Sequence, residues 1–113
     1  MAASIALTLR RRVRFAHRSE ARFARLLDFY RIRWEYEPHT FALREDESGA
    51  VREAFTPDFW LPEQVVYVEL TVLRQQLVTK KNGKIRRFRE RYPGMTLRML
   101  YRRDVDALAS KYV

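Results

Sequence analysis

The 113-residue chain contains no cysteine. That excludes a disulfide framework, a thiolate metal site and a catalytic thiol, and an intracellular, cytoplasmic setting is the expectation. Glycine is nearly as scarce, with only Gly49, Gly83 and Gly94, so no glycine-rich loop can cradle a phosphate. No apolar run approaches the roughly 20 residues that a transmembrane helix needs, and no membrane partner is expected. The two histidines, His17 and His39, stand apart, without the spacing of a zinc site or a partnered general base. Acids are few as well: 14 Asp and Glu face 23 Lys and Arg, leaving a formal net charge of +9. An excess of that size points to a polyanionic partner, nucleic acid first.

What is present is enough to fold. A hydrophobic fraction of 47%, with seven Phe, six Tyr and two Trp, supplies a core. The length suits a single domain spanning residues 1–113, which buries well over half of its unfolded surface. Within it, residues 1–18 read as a basic N-terminal arm or helix extension. Their arginines follow the apolar stretch instead of preceding it, the wrong order for a secretory signal. The lack of any acid before Glu20 gives the arm some transit-peptide character; a folded or nucleic-acid-contacting arm is preferred.

The charge is unevenly placed. From Lys80 to Arg103 there are ten Lys or Arg and one acid, Glu90, whereas Arg44 to Glu69 carries seven acids and two arginines. Lys80, Lys84, Arg86, Arg87, Arg89, Arg102 and Arg103 are therefore the candidate phosphate contacts, which set affinity and salt dependence more than sequence choice. Solvated helix faces are the plain alternative for the same residues.

Periodicity gives the elements. Ser19 is the expected N-cap of a helix to about Arg31, with Glu20 in its first turn and Phe23, Leu26, Leu27 and Tyr30 at helical spacing. Trp34 to Pro38 alternates and opens a sheet. Phe41–Arg44 and Val51–Phe55 flank the acidic turn Glu45 to Gly49 as a hairpin. Phe55–Leu61 and Val65–Thr71 follow as antiparallel neighbours, because only a short turn joins them. Val78, Lys81, Ile85, Phe88 and Tyr92 then share one helical face, stopped by Pro93 and Gly94. Met95–Tyr101 reads as a strand, and Asp104 caps a last helix. The class is α/β or α+β: a central mixed sheet flanked by helices.

The chemistry concentrates in FTPDFWLPEQVVYVELT. Asp58 follows Pro57 on one strand, and Glu69 ends the next, an apolar β-branched run with the character of a central strand. Two carboxylates meeting at about 4 Å repel by roughly 4 kcal/mol at an effective dielectric of 20. A hard divalent cation removes that penalty, since Mg²⁺ takes one or two carboxylates and completes its shell with water and phosphate oxygens. Asp58 and Glu69 are thus the expected metal ligands; a turn residue and a surface strand residue are the bland reading.

Pro57, Asp58 and Glu69, with the order helix–strands–helix–strand–helix around them, resemble the PD-(D/E)xK nuclease superfamily. The likeness covers roughly residues 19–112 and implies a restriction-endonuclease-like αβββαβα sandwich. It also implies Mg²⁺ as cofactor, with Mn²⁺ substituting. One position departs from the pattern: Thr71 stands where the family has its lysine. Lys81, central in the apolar stripe of the long helix, is the expected replacement, with Lys80 and Lys84 rotated away and held as fallbacks; the resemblance tolerates a lysine moved to a neighbouring helix. Glu20 is a further catalytic candidate, since the family often brings an acid from its first helix; helix-dipole stabilisation explains it almost as well. Gln75 and Gln76 read as surface-loop residues, and Trp60 as a core residue more than a base-stacking one.

The expected activity is a Mg²⁺-dependent endonuclease cutting DNA in preference to RNA. Asp58 and Glu69 hold the metal, Glu20 supports them, and Lys81 assists the transition state. So small a domain would act as a homodimer or within a larger assembly. Two other classes remain open: an inactive module of the same fold that binds nucleic acid or a partner protein, and an unrelated basic RNA-binding protein.

Overall fold

The computed structural model describes residues 13–72 and 75–112; most of the expected N-terminal arm lies outside them. The chain is mixed α+β, and its described residues form three helices, a mixed four-stranded sheet and a separate hairpin. Helix α1 covers Arg18–Phe29. Strands β1 (Glu35–Tyr36), β2 (Phe41–Glu45), β3 (Val51–Phe55), β4 (Phe59–Leu61) and β5 (Val66–Thr71) follow. Helix α2 (Gln75–Arg91), strand β6 (Leu97–Tyr101) and helix α3 (Arg102–Tyr112) complete the order.

The sheet runs β1-β4-β5-β6, antiparallel at its first two pairings and parallel between β5 and β6. A parallel pair needs a crossover, and α2 supplies it. Strand β5 is interior, with a neighbour on each side, and its last five residues are all buried. Its alternation divides the core into two. Val68 and Leu70 face a cluster with Phe23, Leu27, Trp34, Phe59 and Val105, contributed largely by α1 and α3. Tyr67 faces the other, with Leu43, Phe55, Ile85, Phe88 and Leu97, contributed by α2, β6 and the hairpin. Among the described residues, the two strands of the hairpin pair with each other and lie over α2, outside the four-stranded sheet.

Several local expectations are revised. His17, not Ser19, occupies the N-cap of α1, without a side-chain cap bond; the Ser19 hydroxyl instead donates to Asp106 on α3 at 3.2 Å. Tyr30 lies past the end of α1 and is exposed, so the buried stripe is Phe23, Ala24, Leu26 and Leu27. Phe55 belongs to the hairpin, and the following strand is only Phe59–Leu61. Val65 sits in the turn before β5, at φ 55. Helix α2 begins at Gln75, which puts Gln75 and Gln76 in helix backbone and not in a loop. Helix α3 starts at Arg102, two residues before Asp104.

The acidic turn behaves as its composition requires. Asp46 Oδ1 accepts from the backbone N–H groups of Ser48 and Ala50 at 2.9 and 3.0 Å, and Gly49 takes the left-handed φ of 88 that the turn needs. Among the described residues, no helix is long and apolar enough to cross a membrane.

Candidate active site

The β4–β5 register pairs Phe59 with Val68 and Trp60 with Tyr67. One step further along the same ladder, Asp58 stands opposite Glu69, and cross-strand partners share a face. The facing acids are interlocked through the backbone. Asp58 N–H donates to Glu69 Oε1 at 2.9 Å, and Leu70 N–H donates to Asp58 Oδ2 at 2.8 Å. The Asp58 carbonyl in turn accepts from Glu37 N–H at 2.8 Å. Pro57, almost without solvent exposure, fixes the approach to Asp58 through its locked φ. Asp58 and Glu69 are 8% and 5% exposed, so both charges are largely withdrawn from water.

Lys81 arrives from α2. It lies one helical turn before Ile85 and two before Phe88, both buried against the sheet, and so takes the same inward direction. Its ammonium donates to Glu69 Oε2 at 2.9 Å and to the Leu70 carbonyl at 2.8 Å. Lys81 thus pairs directly with Glu69 and reaches Asp58 only as a more distant charge. The imbalance registers on Asp58, whose pKa is pushed up to about 8, first by burial and then by the neighbouring Glu69 charge. The Leu70 N–H and the more distant Lys81 oppose the shift without cancelling it.

Glu20, 2% exposed, comes from the opposite layer. Tyr36 Oη donates to its Oε1 at 2.5 Å, the Ala16 N–H donates to the same oxygen at 3.2 Å, and Arg102 Nη2 lies 3.9 Å from Oε2. Burial, followed by the bond to Glu20, raises the Tyr36 phenol above its usual range. The Glu20 charge is felt at Asp58, where it adds to the upward shift. Its direct partners, however, anchor α1 to β1 and to the chain before the helix.

Above Glu69 opens a cavity of about 450 Å³. Strand and loop residues Phe55, Thr56, Thr71 and Val72 form part of its wall. Lys80, Lys81 and Lys84 line it from α2, joined by Arg102 and His17. The expected rotation of Lys80 and Lys84 away from the site is thus corrected: all three lysines reach one cavity, and Lys84 Nζ also donates to the Ala54 carbonyl at 3.1 Å. His17 was not singled out, because nothing in the sequence ties the residue before α1 to the end of β5.

The other basic candidates scatter. Arg87 forks onto Glu53 at 2.6 and 2.8 Å, and Arg89 donates to the Leu97 carbonyl at 2.8 Å. Arg103 lies 3.8 Å from Asp104 and 5.8 Å from the Tyr101 ring centroid. Arg86 is exposed on α2, away from the cavity. Trp60 packs on Tyr67 with ring centroids 4.5 Å apart, a core role.

The donors suit a hard cation: two carboxylates and a neighbouring carbonyl, with an ammonium already bridging Glu69 and Leu70. The set is lean. Among the described residues no group of three or more His, Asp or Glu could hold an ion, so water and substrate oxygens would complete the shell. No family model matches the chain, and neither a curated protein nor a solved structure does.

Proposed function

We propose that this protein is a metal-dependent nuclease of the PD-(D/E)xK type, with the restriction-endonuclease-like fold, acting on DNA in the cytoplasm. The observation that carries the reading is the buried, facing pair Asp58 and Glu69, the one just before β4 and the other within β5, with a lysine paired to Glu69. Asp58 and Glu69 would hold Mg²⁺, which polarises a phosphoryl oxygen and favours an attacking water. Leu70 N–H fixes the Asp58 carboxylate, and the Asp58 N–H fixes that of Glu69. Lys81, between α2 and β5, neutralises charge that accumulates on the phosphoryl group. Glu20 orders the chain around Tyr36 and Arg102 and is a positioning residue.

One observation favours a second reading, an inactive binding module. Lys81 already satisfies Glu69 Oε2 and the Leu70 carbonyl as a structural ion pair would, and Thr71 carries no charge. The two readings part in one experiment. Wild type and Glu69→Gln are incubated with single-stranded, duplex and branched DNA and with RNA, with Mg²⁺, Mn²⁺ or EDTA, while Mn²⁺ binding is followed by electron paramagnetic resonance. The nuclease reading expects metal-dependent cleavage and Mn²⁺ binding in wild type, both lost in Glu69→Gln. Wild type that binds nucleic acid but neither Mn²⁺ nor cuts any form leaves the binding module.

A further inference from the structure

We propose that the cavity over Glu69 seats one unpaired nucleotide, so that single-stranded nucleic acid or a frayed end, and not an intact duplex, enters the site; the inference rests on the nuclease reading for its catalytic step. Size is the first ground. About 450 Å³ falls inside the roughly 300–1,000 Å³ of sites built for small ligands, and a nucleotide is such a ligand whereas a duplex is not. Chemistry is the second. Lys80 and Lys84 stand on the α2 side, and Arg102 lines the cavity from the start of α3. The Arg102 Nε is buried with no hydrogen-bond partner among the described residues. Phe55 and Val72 add apolar wall for a base face, and the Glu69–Lys81 pair lies beneath. Strand-binding sites combine cations along the backbone with aromatic side chains on which bases stack, and Phe55 is the aromatic side chain of that kind in this wall.

The third ground is what α2 no longer offers. A duplex would be met by an open row of cations, yet Arg87 is held by Glu53, Arg91 by Glu45, and Arg89 by the Leu97 carbonyl. Two arginines of the expected phosphate-contacting set, Arg87 and Arg89, and the neighbouring Arg91 are thus engaged internally. Lys80, Lys84 and Arg102, by contrast, converge on the cavity.

The test uses the whole chain in EDTA, so no cleavage step intervenes. Thymidine 5′-monophosphate, thymidine and inorganic phosphate are titrated by NMR, and a single-stranded dT oligomer competes against a blunt duplex of equal length. The monophosphate is expected to bind at least about tenfold tighter than either fragment, and the single strand about tenfold tighter than the duplex. Lys80→Ala and Arg102→Gln should each weaken the monophosphate roughly tenfold. Arg102 touches Glu20, so Lys80, exposed on α2, carries the test if the arginine variant misfolds. Phosphate alone binding as well as the nucleotide, a duplex binding as well as the strand, or a silent Lys80→Ala would each overturn the proposal. Absence of cleavage with metal would instead sink the nuclease reading and leave this binding result standing.

Discussion

Two regions of the molecule handle charge in opposite ways. Over α2, the hairpin matches its acids with cations: Glu53 with Arg87, Glu45 with Arg91, and Asp46 with Arg52. Glu53 is held below the usual carboxylate range, chiefly by the Arg87 hydrogen bonds, and Arg87 is raised in turn. At the end of β5 the count fails. Lys81 pairs with Glu69, and Asp58 rises where Glu53 falls. The hairpin pairs are complete and lie toward solvent; the strand-end group is incomplete and buried. A completed pair has a structural role, whereas a buried deficit of positive charge is a place where a cation gains from binding.

The largest expected effect separates the regions by activity. Asp58→Asn and Glu69→Gln should each reduce Mg²⁺-dependent cleavage by on the order of 10²–10³-fold or more, while Glu53→Gln leaves the rate near wild type. Initial rates on a labelled strand check this, and a slow Glu53→Gln with intact acid variants would erase the comparison.

Stability sharpens it next. Removing Lys81 strands the Glu69 charge, and Lys81→Ala should cost about 1–3 kcal/mol, read from urea unfolding. Millimolar Mg²⁺ should restore part of that loss. Arg87→Ala should lower Tm by less and show no response to Mg²⁺. A Lys81→Ala variant indifferent to Mg²⁺ would argue that the two acids want only an ammonium.

A pH series gives a third contrast. The folded pKa of Asp58, about 8, lies above the unfolded value of about 3.9. The folded state therefore holds the extra proton between them. The stability this group contributes is complete below about pH 4, declines as pH rises, and is gone above about pH 8. Asp58→Asn should flatten that slope in unfolding measured from pH 5 to 9. Glu53→Gln should not, because the depressed Glu53 loses its contribution only as pH falls through the acid range.

The smallest effect concerns affinity. On single strands each phosphate contact contributes about −0.7 to the slope of log K against log salt. Lys80→Ala should make that slope shallower by about this amount, and Arg87→Ala should leave it unchanged. Equal effects would place the hairpin-bound arginine among the nucleic-acid contacts.

The contrast also separates what the sequence discloses from what it conceals. The acids, their facing strands and the inward phase of Lys81 were legible, because each follows from a short local period: two along the strands, and 3.6 from Lys81 to Ile85 and Phe88. The same period misjudged Lys80 and Lys84, since a long flexible stem reaches a cavity that its helical angle alone would deny. The partners of Arg87 and Arg91 lie 34 and 46 residues away, and no local pattern reports where the hairpin will rest. Its acids and the α2 arginines are separate charge runs in the sequence and joined pairs in the fold. His17 reaches the cavity from chain distant from both strands and so left no mark in any spacing, whereas Arg102 was legible as part of the basic run.

The turn that sets Asp58 opposite Glu69 also bears on the order in which the molecule assembles. The acids belong to neighbouring strands joined by a short turn, and such hairpins close in about 1–10 μs. Lys81 reaches them only when α2 docks, and β6 must cross over that helix to find its parallel partner. Contact-order reasoning thus brings the like charges together before their counterion arrives. The nucleus of the sheet would carry an electrostatic burden that Lys81 relieves only in part in the finished protein. Stopped-flow refolding should then quicken on acidification from pH 8 to 6, and lose that quickening when residue 58 is an amide.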